Sequence, residues 1–273
     1  MSANSEQNAR VLDQFNKQAA SYAALISRSK DTSLPAFLDA VKPVRADRML
    51  DVGCGTGRFA VTVAPLVARV VGVDLTLAML EQARRAQADA QIDNIEWQQA
   101  DVTNLPFADG EFTLVTSRAM MHHVDSPARV IAQMRRVCAP GGRILVSDVT
   151  PQREKAAAFD AIEILRDPSH AHAMTQAELR GIGSDLGLTE IAVHESVTRI
   201  PLEAVLKTSF PEAGMLDRVR RLYRIDAECG ADTLGLGARI DNGEITVGYP
   251  MSMVAWAAGG QSGQVARWPE RRC

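Results

Sequence analysis

Asp51-Val52-Gly53-Cys54-Gly55-Thr56-Gly57 decides how this chain is read. It follows the short apolar run Arg48-Met49-Leu50 and precedes Arg58-Phe59-Ala60-Val61-Thr62-Val63-Ala64. That order predicts a strand, a glycine turn and a helix. Glycines at alternate positions let the backbone turn tightly and approach a ligand closely. The helix that follows points its first N–H groups back at the turn. Seventeen residues after Gly57, the run Arg69-Val70-Val71-Gly72-Val73 ends in Asp74. An acid at the end of the second strand of a βαβ unit is placed to bind both hydroxyls of a ribose.

Outward from this unit, strands and helices alternate from residue 46. Strands are expected at 48–53, 69–74, 95–100, 111–117 and 143–149. Helices fall between them at 57–66, from Thr76 to about Ala90, and from Pro127 to Cys138, with Thr76 and Ser126 as N-caps. In the second helix Leu77, Met79, Leu80 and Ala83 should face inward and Arg84, Arg85 and Gln87 outward. This spacing predicts a doubly wound α/β domain around a parallel sheet.

Upstream, residues 5–42 read as a helical arm broken before Pro35, with Val11, Phe15, Ala19, Tyr22 and Ile26 on one face. Downstream the pattern changes. Helices are expected at 153–167, from Gln176 to Leu186 with Thr175 as N-cap, and in two pieces over 201–228. A strand is expected at 188–200, a hairpin at Asn242-Gly243, and a last apolar strand at Met251–Ala257. The division is therefore a helical arm over 1–45, a core over 46–150, helices covering the substrate with the remaining strands over 151–258, and a Gly-, Gln- and Arg-rich tail over 259–273.

With 273 residues, 46% of them hydrophobic, the chain can bury a sizeable core. A net charge of −3 carries no global basic field for nucleic acid. The four cysteines, at 54, 138, 229 and 273, show neither metal-ligand nor disulfide-framework spacing. Cys54 fits as a small side chain inside the turn. Met1–Arg10 is polar and no window has the apolar length of a membrane span. These features point to a soluble, cytoplasmic protein.

Four segments in this order carry a family resemblance. They are Asp51–Gly57; Val71-Gly72-Val73-Asp74 with its following helix; Ala100-Asp101-Val102-Thr103-Asn104-Leu105-Pro106-Phe107; and the stretch from Phe112 through His122-His123-Val124-Asp125 to Gly141-Gly142-Arg143. Over about residues 45–150 the chain resembles the class I S-adenosylmethionine-dependent methyltransferases. It is most similar to the small-molecule branch that includes the ubiquinone and menaquinone C-methyltransferases.

The resemblance implies S-adenosyl-L-methionine as cofactor. Gly53, Gly55 and Gly57 would line its methionine portion and Asp51 would lie under its amino group. Asp74, followed by Leu75, would hold the ribose. Asp101 would accept from the adenine amino group with Val102 beside the ring, and Ser117 would contact the methionine end. Gln14–Tyr22 resembles the first helix of the quinone-type branch, which closes over the cofactor, so Tyr22 would reach toward it. The partner implied is a small-molecule acceptor, methylated at carbon, oxygen or nitrogen, in a protein that leaves room for a homodimer.

His122 and His123 follow the fourth strand, where acceptor would meet methyl. Either could be a general base, with His123 favoured as the match to the family's usual single histidine. His170, in Asp167-Pro168-Ser169-His170, is a further candidate facing the acceptor. Arg118 could meet an acidic acceptor group, and Met120, Met121, Phe159, Met174 and Phe210 could line an apolar pocket or belong to the core. No metal is called for. Two rivals use the same glycine turn. One is a nicotinamide-dependent oxidoreductase, whose usual third glycine would come one residue later than Gly57. The other is a methyltransferase-like domain that binds cofactor without turnover.

Overall fold

The computed structural model describes residues 3–27 and 33–259. Part of the helical arm expected over 5–42, residues 28–32, and almost all of the tail expected over 259–273 lie outside the described residues. Two helices come first, α1 (Ala3–Ser27) and α2 (Leu34–Val41). The alternating unit follows as β1 (Arg48–Val52), α3 (Arg58–Val63), β2 (Arg69–Asp74), α4 (Leu77–Asp89), β3 (Ile95–Gln99), β4 (Phe112–Arg118), α5 (Pro127–Val137) and β5 (Cys138–Val149). The second half is α6 (Ala156–Arg166), α7 (Gln176–Asp185), β6 (Thr189–Pro201), α8 (Leu202–Leu206), α9 (Met215–Cys229), β7 (Arg239–Asp241) and β8 (Glu244–Ala257).

The sheet runs β3-β2-β1-β4-β5-β8-β6, with β7 paired to β8 off this path. From β3 to β5 all pairs are parallel; β8 is antiparallel to both β5 and β6. Helices cover both faces. Val254 and Trp256 of β8 bury with α5 residues Val130, Ile131 and Met134 on one face. Met253 and Ala255 bury with Phe37 of α2 and Phe59 of α3 on the other. A third core, with Phe159, Leu202, Val219 and Tyr223, joins α6, α8 and α9 beyond the sheet.

Local chemistry explains the boundaries and three departures from the sequence reading. Pro65 ends α3 early, and residues 64–66 form a 3-10 turn. Thr76 and Ser126 stand at the N-cap positions without making a side-chain cap. At α4, Asp74 Oδ1 accepts from Thr76 N at 2.9 Å instead. Leu77 is exposed, whereas Gln87, expected outward, ties α4 to β3 by donating to Ile95 O at 3.1 Å and accepting from Trp97 Nε1 at 2.6 Å. Thr175 does cap α7: its hydroxyl accepts from Glu178 N and Glu178 reaches back to Thr175 N at 2.7 Å. Asn242 and Gly243 both have positive φ, +51° and +85°, as a two-residue hairpin turn requires. Among the described residues, no helix is long and apolar enough to cross a membrane.

Candidate cofactor and acceptor site

The glycine turn lies at the C-terminal ends of β1, β2 and β4, where ligands bind in open parallel sheets. Gly53, Gly55 and Gly57 all have positive φ, between +53° and +73°. Their surroundings differ. A Cβ on Gly57 would stand 2.7 Å from Ala83 Cβ, so this glycine allows α4 to pack on the turn. A Cβ on Gly53 would meet Met120 Cγ at 2.3 Å. A Cβ on Gly55 would meet nothing within 4 Å, so that position borders open space. Cys54 N donates to Val73 O at 2.9 Å and fastens the turn to β2.

Three acids surround this cradle. Asp74, at the end of β2, accepts from Gly55 N at 2.9 Å through Oδ2 and from Thr76 N through Oδ1. Burial raises its pKa, and the backbone N–H groups of Thr76, Gly55 and Leu75 oppose that. Asp101 accepts from Thr103 N at 2.8 Å through Oδ1 and from Asn8 Nδ2 of α1 at 2.9 Å through Oδ2. Each carboxylate oxygen takes about two hydrogen bonds, so Asp74 retains acceptor capacity, whereas Asp101 Oδ1 also accepts from Thr103 Oγ1 at 2.7 Å. Val102 is buried in the core beside Asp101, and Leu75 is half-buried beside Asp74, its carbonyl accepting from Gln99 Nε2 at 2.8 Å.

Asp51 differs from both. It is buried in β1, and Thr116 Oγ1 donates to it at 3.0 Å. Burial pushes its pKa up to about 6, helped by Asp74 and opposed by Thr116 and Arg118. Ser117, opposite Val52 in the sheet, has a buried hydroxyl with no partner among the described residues. Open space at Gly55, a buried acid with one hydroxyl donor among the described residues and an orphaned hydroxyl beside it suit a ligand carrying a cationic ammonium. The ammonium of S-adenosyl-L-methionine fits this set of groups.

Beyond Ser117 the chain turns through Ala119 and Met120 into a 3-10 turn, Met121–His123. Asp148, near the end of β5, organises this turn. Its Oδ2 accepts from Met120 N at 3.0 Å and Met121 N at 2.7 Å, and its Oδ1 lies 2.5 Å from His122 Nδ1. Burial works to lower the His122 pKa. The charge and hydrogen bond of Asp148, with Glu163 and Asp167 behind, outweigh it and hold the imidazole above its ordinary value. An imidazole whose Nδ1–H is given to a carboxylate presents Nε2 as its basic atom.

His123 has the opposite environment. Its Nδ1 lies 3.1 Å from Ser169 O, Phe15 of α1 packs on it edge-to-face, and its ring is buried. Burial first, and the neighbouring His122 second, pull its pKa down to about 3. His170 is buried 5.7 Å from His122, ring to ring. Its Nε2 lies 2.7 Å from Asp160 Oδ1, and its Nδ1 has no partner among the described residues. Asp160 also holds the exposed His172 through Nδ1 at 2.6 Å. Ala171 N donates to His122 O at 2.8 Å, so the loop after α6 rests on the same turn.

Tyr22 is half-buried on α1. Burial raises its pKa, and the charges of Arg118, Arg58 and Arg166 work against it. Arg118 stacks its guanidinium 4.4 Å from the Phe59 ring centre and donates to Ser33 Oγ at 2.8 Å. Of the apolar candidates, Met121, Phe159 and Met174 are core, whereas Met120 is half-buried over Gly53 and Phe210 is exposed.

Sequence reading missed Gln7, Asn8 and Asp148. Gln7 Nε2 donates to His123 O at 2.8 Å and Ser169 O at 2.7 Å, so α1 binds the histidine turn and the loop after α6 together. No periodicity marks a polar residue that caps carbonyls far away in sequence. Asp148 carried a signal, an acid ending an otherwise apolar strand. Among the described residues, no group of three or more His, Cys, Asp or Glu side chains is arranged to hold a metal ion.

Comparison with known proteins agrees with this geometry. A family profile described as "Methyltransferase domain" matches residues 50–146. An uncharacterized methyltransferase of Bacillus subtilis, YcgJ, is 32% identical over 139 residues, 50% of this chain and 55% of that protein. Its crystal structure superposes with a TM-score of 0.77 at 22% identity, over 85% of this chain and all of the other. The ubiquinone/menaquinone biosynthesis C-methyltransferase UbiE of Desulfotalea psychrophila is 39% identical over 108 residues, 39% of this chain and 43% of that protein. The chain thus spans about half the length of these two curated relatives. It spans 82% of the uncharacterized protein YafE of Escherichia coli at 31% identity, covering 62% of this chain. A glycine cradle of this form, the acids at the ends of β1, β2 and β3, and these relatives together show that the chain belongs to the class I S-adenosylmethionine-dependent methyltransferases.

Proposed function

We propose that this protein transfers a methyl group from S-adenosyl-L-methionine to a small organic acceptor of quinol, phenol or related type, with His122 as general base. The observation that carries this reading is the His122–Asp148 pair, joined at 2.5 Å and two residues from the Met120 that covers Gly53. Bound at the cradle, the cofactor supplies an electrophilic methyl group and a sulfur leaving group. Asp51 would hold the ammonium, Asp74 the ribose and Asp101 the adenine, with Val102 against the ring, Leu75 beside the ribose and Ser117 at the methionine end. Tyr22, on α1, would close the side toward the acceptor.

An oxygen, nitrogen or activated ring carbon that gains a methyl must lose a proton. His122 Nε2 would take it, while Asp148 fixes the tautomer and stabilises the imidazolium that forms. His123 is proposed as a packing residue rather than the base, because a group near pKa 3 accepts protons poorly at neutral pH. His170 would complete the wall behind His122. The resemblance to UbiE favours a quinone-type acceptor methylated at carbon; oxygen and nitrogen acceptors use the same base.

The test is methyl transfer from labelled cofactor to a panel of phenols, quinols and amines, with pH–rate profiles for wild type and Asp148→Asn. Turnover should rise with pH through a pKa above the usual histidine value. In Asp148→Asn that limb should move to lower pH and the plateau should fall. No transfer across the panel, with cofactor binding intact, would sink the catalytic reading in favour of a cofactor-binding protein.

A further inference from the structure

The two edges of the sheet are unlike. At one, β3 is five residues long and carries Glu96, Gln98 and Gln99. At the other, β6 runs for 13 residues, all exposed except the half-buried Ala192 and Ile200. Three branched apolar side chains stand on it: Ile191 at 40%, Val193 at 38% and Val197 at 58% exposure. Its inner side pairs with β8 along its length, and no strand among the described residues pairs with its outer side. It carries no lysine, and its one proline is the last residue. A long open edge of this kind is a template for another strand.

The sequence of β6 fits itself. A two-fold axis between antiparallel copies keeps the faces of the sheet, so opposed residues must have the same parity. Centred on Val197, the register sets Val197 against its own copy. It sets Glu195 against Arg199 of the second copy, and Arg199 against Glu195, both on the face of Val193 and Val197. On the opposite face it sets Ser196 against Thr198 twice. Opposite charges and paired hydroxyls directly across a strand pair are stabilising. Centring on Glu195 would oppose that carboxylate to itself. Centring on His194, Ser196 or Thr198 leaves Glu195 and Arg199 opposite uncharged residues. Both side chains are already steered: Gln176 Nε2 donates to Glu195 Oε1, and Arg199 Nη1 donates to Gly237 O at 3.1 Å.

We propose that two copies of this chain join β6 to β6, centred on Val197, into one continuous antiparallel sheet. The overlap runs from Val193 to Pro201. The cofactor cradle lies strands away, at the ends of β1, β2 and β4, and stays open in the pair. Strand pairing alone makes a small interface, so the dimer is weak and reversible.

Sedimentation equilibrium of the full chain, from micromolar to submillimolar concentration, tests this. The wild-type mass should climb from 29.6 kDa toward twice that value. Glu195→Arg and Val197→Lys should each weaken association at least tenfold, and the swap Glu195→Arg with Arg199→Glu should restore it. Both sites are exposed, so unchanged melting and cofactor affinity verify the fold of each variant. A mass fixed at 29.6 kDa, or undiminished association in both single variants, overturns the proposal. Failure of the swap to restore association overturns the Val197-centred register.

Discussion

Asp51 in the first half and Glu163 in the second are both buried carboxylates, yet they are solved differently. Glu163, on α6, receives Arg166 at 2.5 Å and the hydroxyls of Tyr249 at 3.2 Å and Tyr223 at 3.4 Å. Burial acts to raise its pKa, but Arg166 outweighs it and keeps the group below its ordinary value. Asp51 receives one hydroxyl, and burial leaves it near 6. The second half completes its own charge pairing and uses it to fix α6 against α9 and β8. The first half holds an acid whose pKa stays raised despite the charge of Arg118, and we propose that a cationic ligand completes it. A buried carboxylate therefore marks structure when its cation is part of the chain, and a binding site when the cation must come from outside.

Predictions follow from this contrast, from the largest effect downward. His122→Asn should reduce kcat by about 10² to 10⁴-fold, the range of general-base catalysis, while cofactor affinity stays within about twofold. Parallel turnover assays and calorimetry would show this; equal losses in both would tie the base to cofactor binding instead. Glu163→Ala should cost about 3–5 kcal/mol in urea unfolding, because it leaves Arg166 buried without its partner. Asp51→Asn should weaken cofactor binding by about 10²-fold, since a buried charge pair is lost. It should also raise the stability of the cofactor-free protein at pH 7 by about 1–3 kcal/mol. The sign follows from the raised pKa: the folded state binds the proton more tightly than the unfolded one, so ionisation above the unfolded value disfavours folding. For the same reason cofactor affinity should fall as pH drops through about 6, where Asp51 loses its charge. Stability gained in Asp51→Asn without loss of affinity would remove Asp51 from the ligand site.

The smallest effect separates two glycines of one turn. Gly57→Ala should cost about 2–3 kcal/mol, because left-handed strain adds to the clash with Ala83 and Trp97. Gly55→Ala should cost about 1–2 kcal/mol of strain and appear mainly as weaker cofactor binding, because its Cβ would enter the open space. Thermal melts with and without cofactor distinguish them.

Much of the first half is legible in the sequence because its signals are local. The spacing of Asp51–Gly57, the acid at Asp74 and the apolar runs place β1, β2, the cradle and the start of α3 within a residue or two. Extended residues before Arg143 were missed because Gly141 and Gly142 look like a stop. In the fold they continue β5, with Gly141 N donating to Ala258 O at 2.8 Å. The two histidines were visible, but their ranking was not. His122 and His123 are neighbours in the chain, yet their pKa shifts are opposite: Asp148, brought in from β5, raises the one, while burial under distant segments, Phe15 of α1 among them, and then His122 itself lower the other.

The sequence by itself determined the alternating fold, the cradle and the acids that end its strands, because each follows from residues close together along the chain. Only the tertiary structure decided which histidine keeps a raised pKa, how Gln7 and Asn8 of α1 span the site, and which strand is left at the open edge. Those outcomes depend on desolvation and on partners brought from distant segments, and no short-range pattern encodes them.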